Sequence, residues 1–459
     1  MLRRVALARP GVAAAILLLA GCASFSQDGG FDSVNQLTRQ RLGIEVHPIK
    51  TENDERALAA LITQKLQTPL SVDDAVTIAL LNNRGLQATY ASLGIAEADL
   101  VQAGRLTNPA FGFKRTHSGD EVAIERTLTF NLLRVLTLPL AGRIESRRFE
   151  QTKLLVTDAA LKMAYDTRRA YFEAIAAQQS ADYAGTVNAA AAAGAELAAR
   201  MTQAGNWSQL DLLREQAFHV DAIGAASRAT KDALAAREKL TRLLGLSGDA
   251  AQFRLPERLP DLPAAIAELP EVEQSALRDR LDVQAGQLQL QETAASLGLT
   301  RTTRFVNVLD LGLVRNSATG QPSAPGYEVT LEIPLFDWGG ARVARAEASY
   351  LASAGRLAEI AVNARSEARE SHANYRAAWQ LARHYRDQVL PLRKRIADEM
   401  QLRYNGMLAS PFALLADARE QANAGNGFIT ALKDYWIADT NLQAALGGRL
   451  PVTQQGATP

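Results

Sequence analysis

From Leu140 to Leu255 the chain contains no proline, and this stretch constrains the fold more than any other. Alanine-rich sequence such as Val187 to Arg200 has high helix propensity. Apolar residues recurring every three to four positions, with charges at i,i+4, predict helix throughout. Gly142 to Thr202 is roughly sixty residues, which at 1.5 Å each gives about 90 Å of helix. Helices much longer than about 25 residues belong to coiled coils or extended repeats rather than globular cores. A solid coiled-coil rod would carry a Leu/Ile heptad seam, and none is evident. The pattern predicts one elongated body in place of the two or three globular domains that length alone suggests.

Two stretches carry the same features in the same order. Leu138-Pro139-Leu140, then Gly142-Arg143, opens one polar, alanine-rich segment. Ile333-Pro334-Leu335, then Phe336-Asp337-Trp338-Gly339-Gly340-Ala341-Arg342, opens another. Each later carries an arginine followed by a glycine, Arg200 with Gly205 and Arg403 with Gly406. The copies close on Leu243-Leu244-Gly245 and Ala445-Leu446-Gly447-Gly448. Upstream, Ala79 to Phe113 lies beside Ala276 to Leu313, with Leu93-Gly94 and Leu297-Gly298 in common. Self-similarity of this kind marks a structural repeat, and each half reads helix, two strands, long helix, second helix. The first repeat covers 70–250 and the second 271–449, with a proline-rich linker at 251–270 and a short tail at 450–459. Pro391, inside the second long segment, predicts a kink or a change of helix.

Four segments alternate with period two. Tyr327, Val329, Leu331 and Ile333 alternate with Glu328, Thr330 and Glu332. Val122, Ile124, Leu128 and Phe130 alternate with Glu125, Thr127, Thr129 and Asn131, and Arg126 breaks the pattern. Phe111 with Phe113, and Phe305 with Leu309, Leu311 and Leu313, complete the set. One face is then apolar and the other polar, as on a globular sheet or on a lipid-facing barrel wall. Four strands cannot close a barrel, since the smallest single-chain barrels use about eight. An open edge in lipid leaves backbone groups unpaired, so membrane-spanning strands here require several chains to share one barrel. Three copies supply twelve strands, although strand count does not select three.

The start of the chain favours the membrane reading. Arg3 and Arg4 precede an uncharged run from Val12 to Ala20, and Leu19-Ala20-Gly21 leads to Cys22, the sole cysteine. A charged start, a short apolar core and a small-residue cleavage region describe a secretory signal peptide, residues 1–21. Leu-Ala-Gly-Cys resembles the bacterial lipoprotein lipobox, in which the cysteine becomes the acylated first residue. Ala23 and Ser24, with no Asp after the cysteine, favour outer-membrane sorting in such lipoproteins. Residues 22–69 then read as a lipid-anchored extension, polar and extended, with the acidic run Thr51-Glu52-Asn53-Asp54-Glu55.

The mature chain has no thiol for a disulfide, for catalysis or for a metal. Five histidines are scattered without HxxxH or HxH spacing, so no metal site or cofactor is expected. A formal net charge of +1 argues against a nucleic-acid surface. No nucleophile elbow or phosphate loop appears, and no enzyme is expected.

In these features the chain resembles the TolC family of outer-membrane efflux proteins, over roughly Leu70 to Gly448. Ser71-Val72-Asp73-Asp74-Ala75 through Asn82-Asn83 resembles the family's opening helix, and Glu332 to Gly340 its strand-to-helix signature. Val389-Leu390-Pro391, Arg403-Tyr404-Asn405-Gly406 and Ala445-Leu446-Gly447-Gly448 match further positions. The resemblance implies a mainly α protein with a small β part. Long α-helical hairpins form a periplasmic α-barrel, and four strands per chain join a trimeric twelve-stranded transmembrane β-barrel. It implies a passive conduit partnered by a periplasmic adaptor and an inner-membrane pump, lipid-anchored in the outer membrane. A type I secretion duct uses the same body, and a periplasmic coiled-coil scaffold lipoprotein is the alternative without a pore.

The resemblance puts both helix-to-helix turns at the periplasmic tip. They are Ala204-Gly205-Asn206-Trp207-Ser208 and Asn405-Gly406-Met407-Leu408-Ala409. Glycine permits φ > 0 and close backbone approach, which suits a tight turn and an adaptor contact at Gly205, Trp207, Gly406 and Met407. A helix C-cap accounts for each glycine equally well, and core packing for Trp207. Family carboxylates just after the turn line a constriction. Asp211 fits that spacing, or is a solvated charge pairing with Arg214. In the second copy Ala413 and Ala416 stand at the corresponding places, and Asp417 comes later. A helix face turns by about 100° per residue, so Asp417 need not face the same lumen.

Overall fold

The computed structural model describes residues 24–448; the leader, Cys22 and the tail at 450–459 lie outside the described residues. Two short helices come first, α1 (Phe31–Leu42) and α2 (Glu52–Lys65). The segment expected to be an extended tether is therefore largely helical. Phe31, Val34, Thr38 and Leu42, on one face of α1, are all buried, at the i, i+3, i+4 spacing of an amphipathic helix. The acidic run opens α2: Thr51 Oγ1 accepts the Asp54 amide and the Asp54 carboxylate accepts the Thr51 amide, a capping box.

The remaining elements run twice in the same order. The first pass is α3 (Val72–Asn82), α4 (Arg84–Ala103), β1 (Ala110–Ser118), β2 (Glu121–Asn131), α5 (Leu132–Gln203) and α6 (Gln209–Leu244). The second is α7 (Val272–Asp279), α8 (Leu281–Thr303), β3 (Leu309–Ala318), β4 (Ala324–Leu331), α9 (Gly340–His384), α10 (Leu390–Asn405) and α11 (Pro411–Ala445). Between α9 and α10 the backbone opens into a π turn, Tyr385–Val389, directly before Pro391. Proline lacks the N–H and its ring crowds the carbonyl four residues back, so the helix widens there.

The two proline motifs that look equivalent in sequence are not equivalent in structure. Pro139 lies inside α5, because the helix starts earlier, where Asn131 Oδ1 accepts the Arg134 amide at 2.6 Å and caps it. In the second copy α9 begins only at Gly340, after a turn in which Asp337 Oδ1 accepts the Gly339 amide at 2.8 Å. Gly339 has φ +74, and a Cβ there would lie 2.5 Å from the Arg304 carbonyl, so only glycine fits.

The chain divides into two compact units, each built from both repeats. One comprises Tyr90–Val156 and Leu281–Val362, with the described residues up to Val34, and contains the sheet. Val101, Ile144, Phe149 and Val283 on its helices are buried. The other comprises Asn35–Thr89, Thr157–Arg280 and the chain from Asn363 onward. Its core centres on Leu70, Ile78, Ile175, Leu240, Leu244 and Leu442, each buried aliphatic side chain contributing roughly 1.5–3 kcal/mol. Aromatic rings extend it, Phe172 stacking on Trp436 at 5.3 Å and Tyr375 lying tilted against Tyr435 at 5.7 Å.

The proline-rich segment between the repeats is laced onto this core. Trp379 and Trp436 each donate an indole N–H to it, to the carbonyls of Pro263 and Pro260, both at 3.0 Å. Phe253, Leu259 and Leu262 are buried.

Candidate functional site

The sheet has order β1-β2-β3-β4, every neighbouring pair antiparallel. Both β1 and β4 have an outer edge that no other described strand pairs. The register assigns each side chain to a face. Phe111, Leu128, Leu313 and Tyr327 form one cross-strand row, and Phe130, Leu311 and Val329 form the next. Glu125, Thr127, Asp310 and Glu328 point to the opposite face, since alternate residues of a strand face opposite ways. Arg126 keeps the register instead of breaking it. It stands opposite Phe113 on one side and Arg315 on the other, next to the apolar rows. Phe305 and Ile333, counted with the strands in sequence, lie outside β3 and β4.

The apolar face is open. Phe111 is 68 % exposed and Tyr327 79 %. Exposed apolar residues continue where strands meet helices, at Val135, Leu136, Ile333, Leu335, Phe336 and Trp338. There Trp338 sits edge-on to Phe305 at 6.3 Å, and the Arg304 guanidinium lies 4.1 Å over the Phe305 ring. An exposed apolar patch of this extent is what a soluble monomer avoids. No helix among the described residues is long and apolar enough to cross a membrane.

The two helix turns carry the other expected site residues. Gly205 has φ +76 with open space around it, and its amide closes the end of α5 on the Thr202 carbonyl at 3.0 Å. Ser208 caps α6, its Oγ accepting the Asp211 amide at 3.2 Å. In the second turn Gly406 has φ −80, and the left-handed residue is Met407, at φ 59. The expected use of glycine for positive φ therefore applies at Gly205 and not at Gly406. Met407 is 94 % exposed, and Leu408, Leu210 and Leu213 are exposed beside the turns. Trp207 is half-buried.

Asp211 sits in the first turn of α6. Its carboxylate accepts the Ser208 hydroxyl at 2.7 Å and lies 3.7 Å from the Arg214 guanidinium, so the pairing with Arg214 is present within the chain. Asp417 lies half-buried in the second turn of α11; among the described residues no ion pair engages it.

One charged pair at this end has no signature in the sequence. Glu215 in α6 is 1 % exposed, and its Oε2 accepts from Arg419 of α11 at 2.5 Å. The guanidinium also lies 4.2 Å over the Phe218 ring. A Cβ on Gly194 of α5 would touch Leu415 and Glu215 at ordinary contact distance, so α5, α6 and α11 meet here. Glu215 and Leu415 follow their helix starts by only a few residues, and a helix rises about 1.5 Å per residue. Both turns therefore lie at the same end of the helical unit. In sequence, Glu215 and Arg419 look like any exposed helix charges. Farther along, an open groove of about 680 Å³ between α5, α6 and α11 is lined by alanines, including Ala176, Ala222, Ala229 and Ala422, together with polar and charged side chains such as Arg228 and Asp232.

Within the same unit Asp439 is half-buried, and its pKa rises to about 6. Burial is the main cause, opposed by the hydrogen bond that Gln443 donates at 2.6 Å and by the Arg168 charge. Among the described residues no cluster of three or more His, Cys, Asp or Glu side chains is arranged to hold a metal.

No family profile matches the sequence, and no curated protein does. Solved structures match in fold. The outer-membrane channel OprN aligns over 84 % of this chain and 92 % of its own, at 18 % identity and a TM-score of 0.68. The Neisseria gonorrhoeae MtrE outer membrane channel in its open state covers 82 % and 89 %, at 18 % identity and 0.67. The Campylobacter jejuni CmeC outer membrane channel covers 92 % and 93 %, at 16 % identity and 0.66. The chain has the fold of these channels.

Proposed function

We propose that this chain is the outer-membrane channel of a tripartite efflux system, a passive conduit that makes and breaks no bond. The observation that carries the reading is the sheet. It has one exposed apolar face, one polar face and two outer edges without a strand partner among the described residues. In lipid those edges must be paired, and further copies of the same sheet pair them while the apolar faces meet the acyl chains. Three copies give a twelve-stranded barrel, within the range that membrane barrels occupy. The fold shared with solved outer-membrane channels supports the same stoichiometry and location.

In this reading Cys22 carries the lipid anchor and the helices extend into the periplasm as an α-barrel. Exposed Met407 and Leu408, with Gly205 and Trp207 on the other turn, contact a periplasmic adaptor coupled to an inner-membrane pump, which supplies the energy. Asp211 lines the constriction at the tip, with Asp417 as the candidate from the second repeat. The test is planar-bilayer conductance of the detergent-purified protein together with its mass in detergent. Discrete conductance steps from a species of three protomers are expected. A monomer that needs no detergent and does not conduct would overturn the reading.

A further inference from the structure

The apolar face of the sheet carries charge of one sign only. By register, Arg115, Arg126 and Arg315 fall on it, while Glu121, Glu125, Asp310 and Glu328, the acidic residues of the four strands, all fall on the other face. Arg126 and Arg315 are direct cross-strand partners, which brings their Cα atoms to about 4.5–5.5 Å. Like charges placed directly opposite destabilise a sheet, and a guanidinium does not shed its proton. Among the described residues none of the three is in an ion pair. Arg126 donates to Ser317 Oγ at 3.4 Å and Arg315 to Ser323 Oγ at 2.9 Å, so their known partners are neutral hydroxyls, which leave the charge uncompensated. All three are exposed.

Their height on the sheet is equally specific. Arg126 and Arg315 stand one row beyond Phe111, Leu128, Leu313 and Tyr327, toward the hairpin turns and away from the helices; Arg115 lies one row farther, opposite Ile124. This arrangement puts a band of guanidinium groups at the upper border of the apolar rows. An arginine on the lipid face is costly at mid-bilayer and tolerated near the interface. Phosphate matches it there, because the guanidinium fork binds phosphate oxygens bidentately.

We propose that Arg115, Arg126 and Arg315 form a binding site for the phosphate groups of an outer-leaflet lipid whose acyl chains lie along the apolar rows below. The proposal rests on the channel reading, which makes this face outward and the turns external. It adds a ligand site that the conduit itself does not require.

The test uses the full-length protein in neutral detergent. Its melting temperature and bound-lipid mass are measured with bisphosphorylated lipid A, with the same lipid dephosphorylated, and with inorganic phosphate. Lipid A should bind about tenfold tighter than its dephosphorylated form and raise the melting temperature, since charge-assisted bidentate bonds are the strong ones. Inorganic phosphate should do neither. R115Q/R126Q/R315Q should lose the difference between the two lipids, and R115Q alone serves if the triple variant does not assemble. Equal binding of the two lipids by the unmodified protein would overturn the proposal, as would a melting shift reproduced by inorganic phosphate. A protein that conducts yet binds both lipids equally removes this site and leaves the channel intact; one that neither conducts nor needs detergent removes both.

Discussion

Asn82 Nδ2 lies 2.8 Å from the carbonyl of Gly245 and 2.9 Å from that of Leu244, so the start of the first repeat caps the end of its last helix. Asn83 adds a bond to the Leu243 carbonyl at 3.0 Å. These carbonyls are the ones a helix C-terminus leaves without intrahelical partners, and Gly245, at φ +66, turns the chain in the left-handed conformation. The second repeat solves the same problem differently. Gly447, at φ +72, packs against the backbone of Asp279 and Arg280, and Arg41 from α1 donates to its carbonyl. The amino-terminal extension thus completes the second repeat where an asparagine completes the first.

Replacing Asn82 with alanine should destabilise the helical unit by about 0.5–1.5 kcal/mol, the net worth of hydrogen bonds to carbonyls that water can partly reach. Gly245→Ala should act in the same direction, because a Cβ would lie 3.0 Å from the Asn82 carbonyl oxygen in a left-handed backbone. Thermal unfolding in detergent reads both, and a midpoint unchanged in N82A would argue against the cap.

Removing Arg419 should cost about 3–5 kcal/mol, since Glu215 is left as a buried unpaired charge, and removing Glu215 should cost less, since the Arg419 side chain is 24 % exposed. The apolar pair E215L/R419M should recover much of that loss, because a buried ion pair is often matched by well-packed apolar residues. Urea midpoints of the two singles and the double separate these cases. A double variant no better than the singles would mean that the pair positions the helices specifically.

Asp439 predicts a pH dependence. Its folded pKa, about 6, lies above the ordinary carboxylate value, so the folded state holds the proton more tightly than the unfolded state. Stability from this group is full below about pH 4 and falls as pH rises toward 6, since stability falls with pH wherever the native state binds more protons. Asp439→Asn should remove that dependence and raise stability at pH 7 by about 2–3 kcal/mol, at 1.36 kcal/mol per pKa unit. Unfolding midpoints at pH 4.5 and 7 check the sign.

Val329→Arg puts a charge among the apolar rows, whereas Thr330→Arg puts it on the opposite face. In a membrane barrel the first should cost about 2–4 kcal/mol per chain at mid-bilayer, and the second little. The yield of assembled oligomer in isolated outer membranes distinguishes them. Equal yields would remove the assignment of this face to lipid.

Asp211→Ala should raise single-channel conductance if three copies of this carboxylate constrict the tip, because a ring of acidic side chains governs ion passage. The Ser208 hydroxyl remains to cap α6, so folding should be spared. Unchanged conductance would exclude Asp211 from the gate.

Much of the architecture is local and therefore legible from residue order. The long proline-free alanine segment gives α5 and α6, the period-two runs give four strands, and recurring motifs give the doubled element order, because helix and strand periodicity are properties of neighbouring residues. Pro391 marks the break before α10 for the same reason. Local reasoning failed where a distant partner decides. Nothing near Pro139 announces that Asn131 caps the helix ahead of it, and the polar extension hides the apolar spacing from Phe31 to Leu42. Arg126 looked like a break in β2 until β3 brought Arg315 opposite it. Glu215 and Arg419, far apart in the chain, meet as an ion pair with Glu215 buried only when α6 and α11 pack together. Sequence alone determined the elements and their order; pairing register and helix packing, which depend on contacts between residues remote in the chain, decided which charges are buried, which share the apolar face of the sheet and which meet.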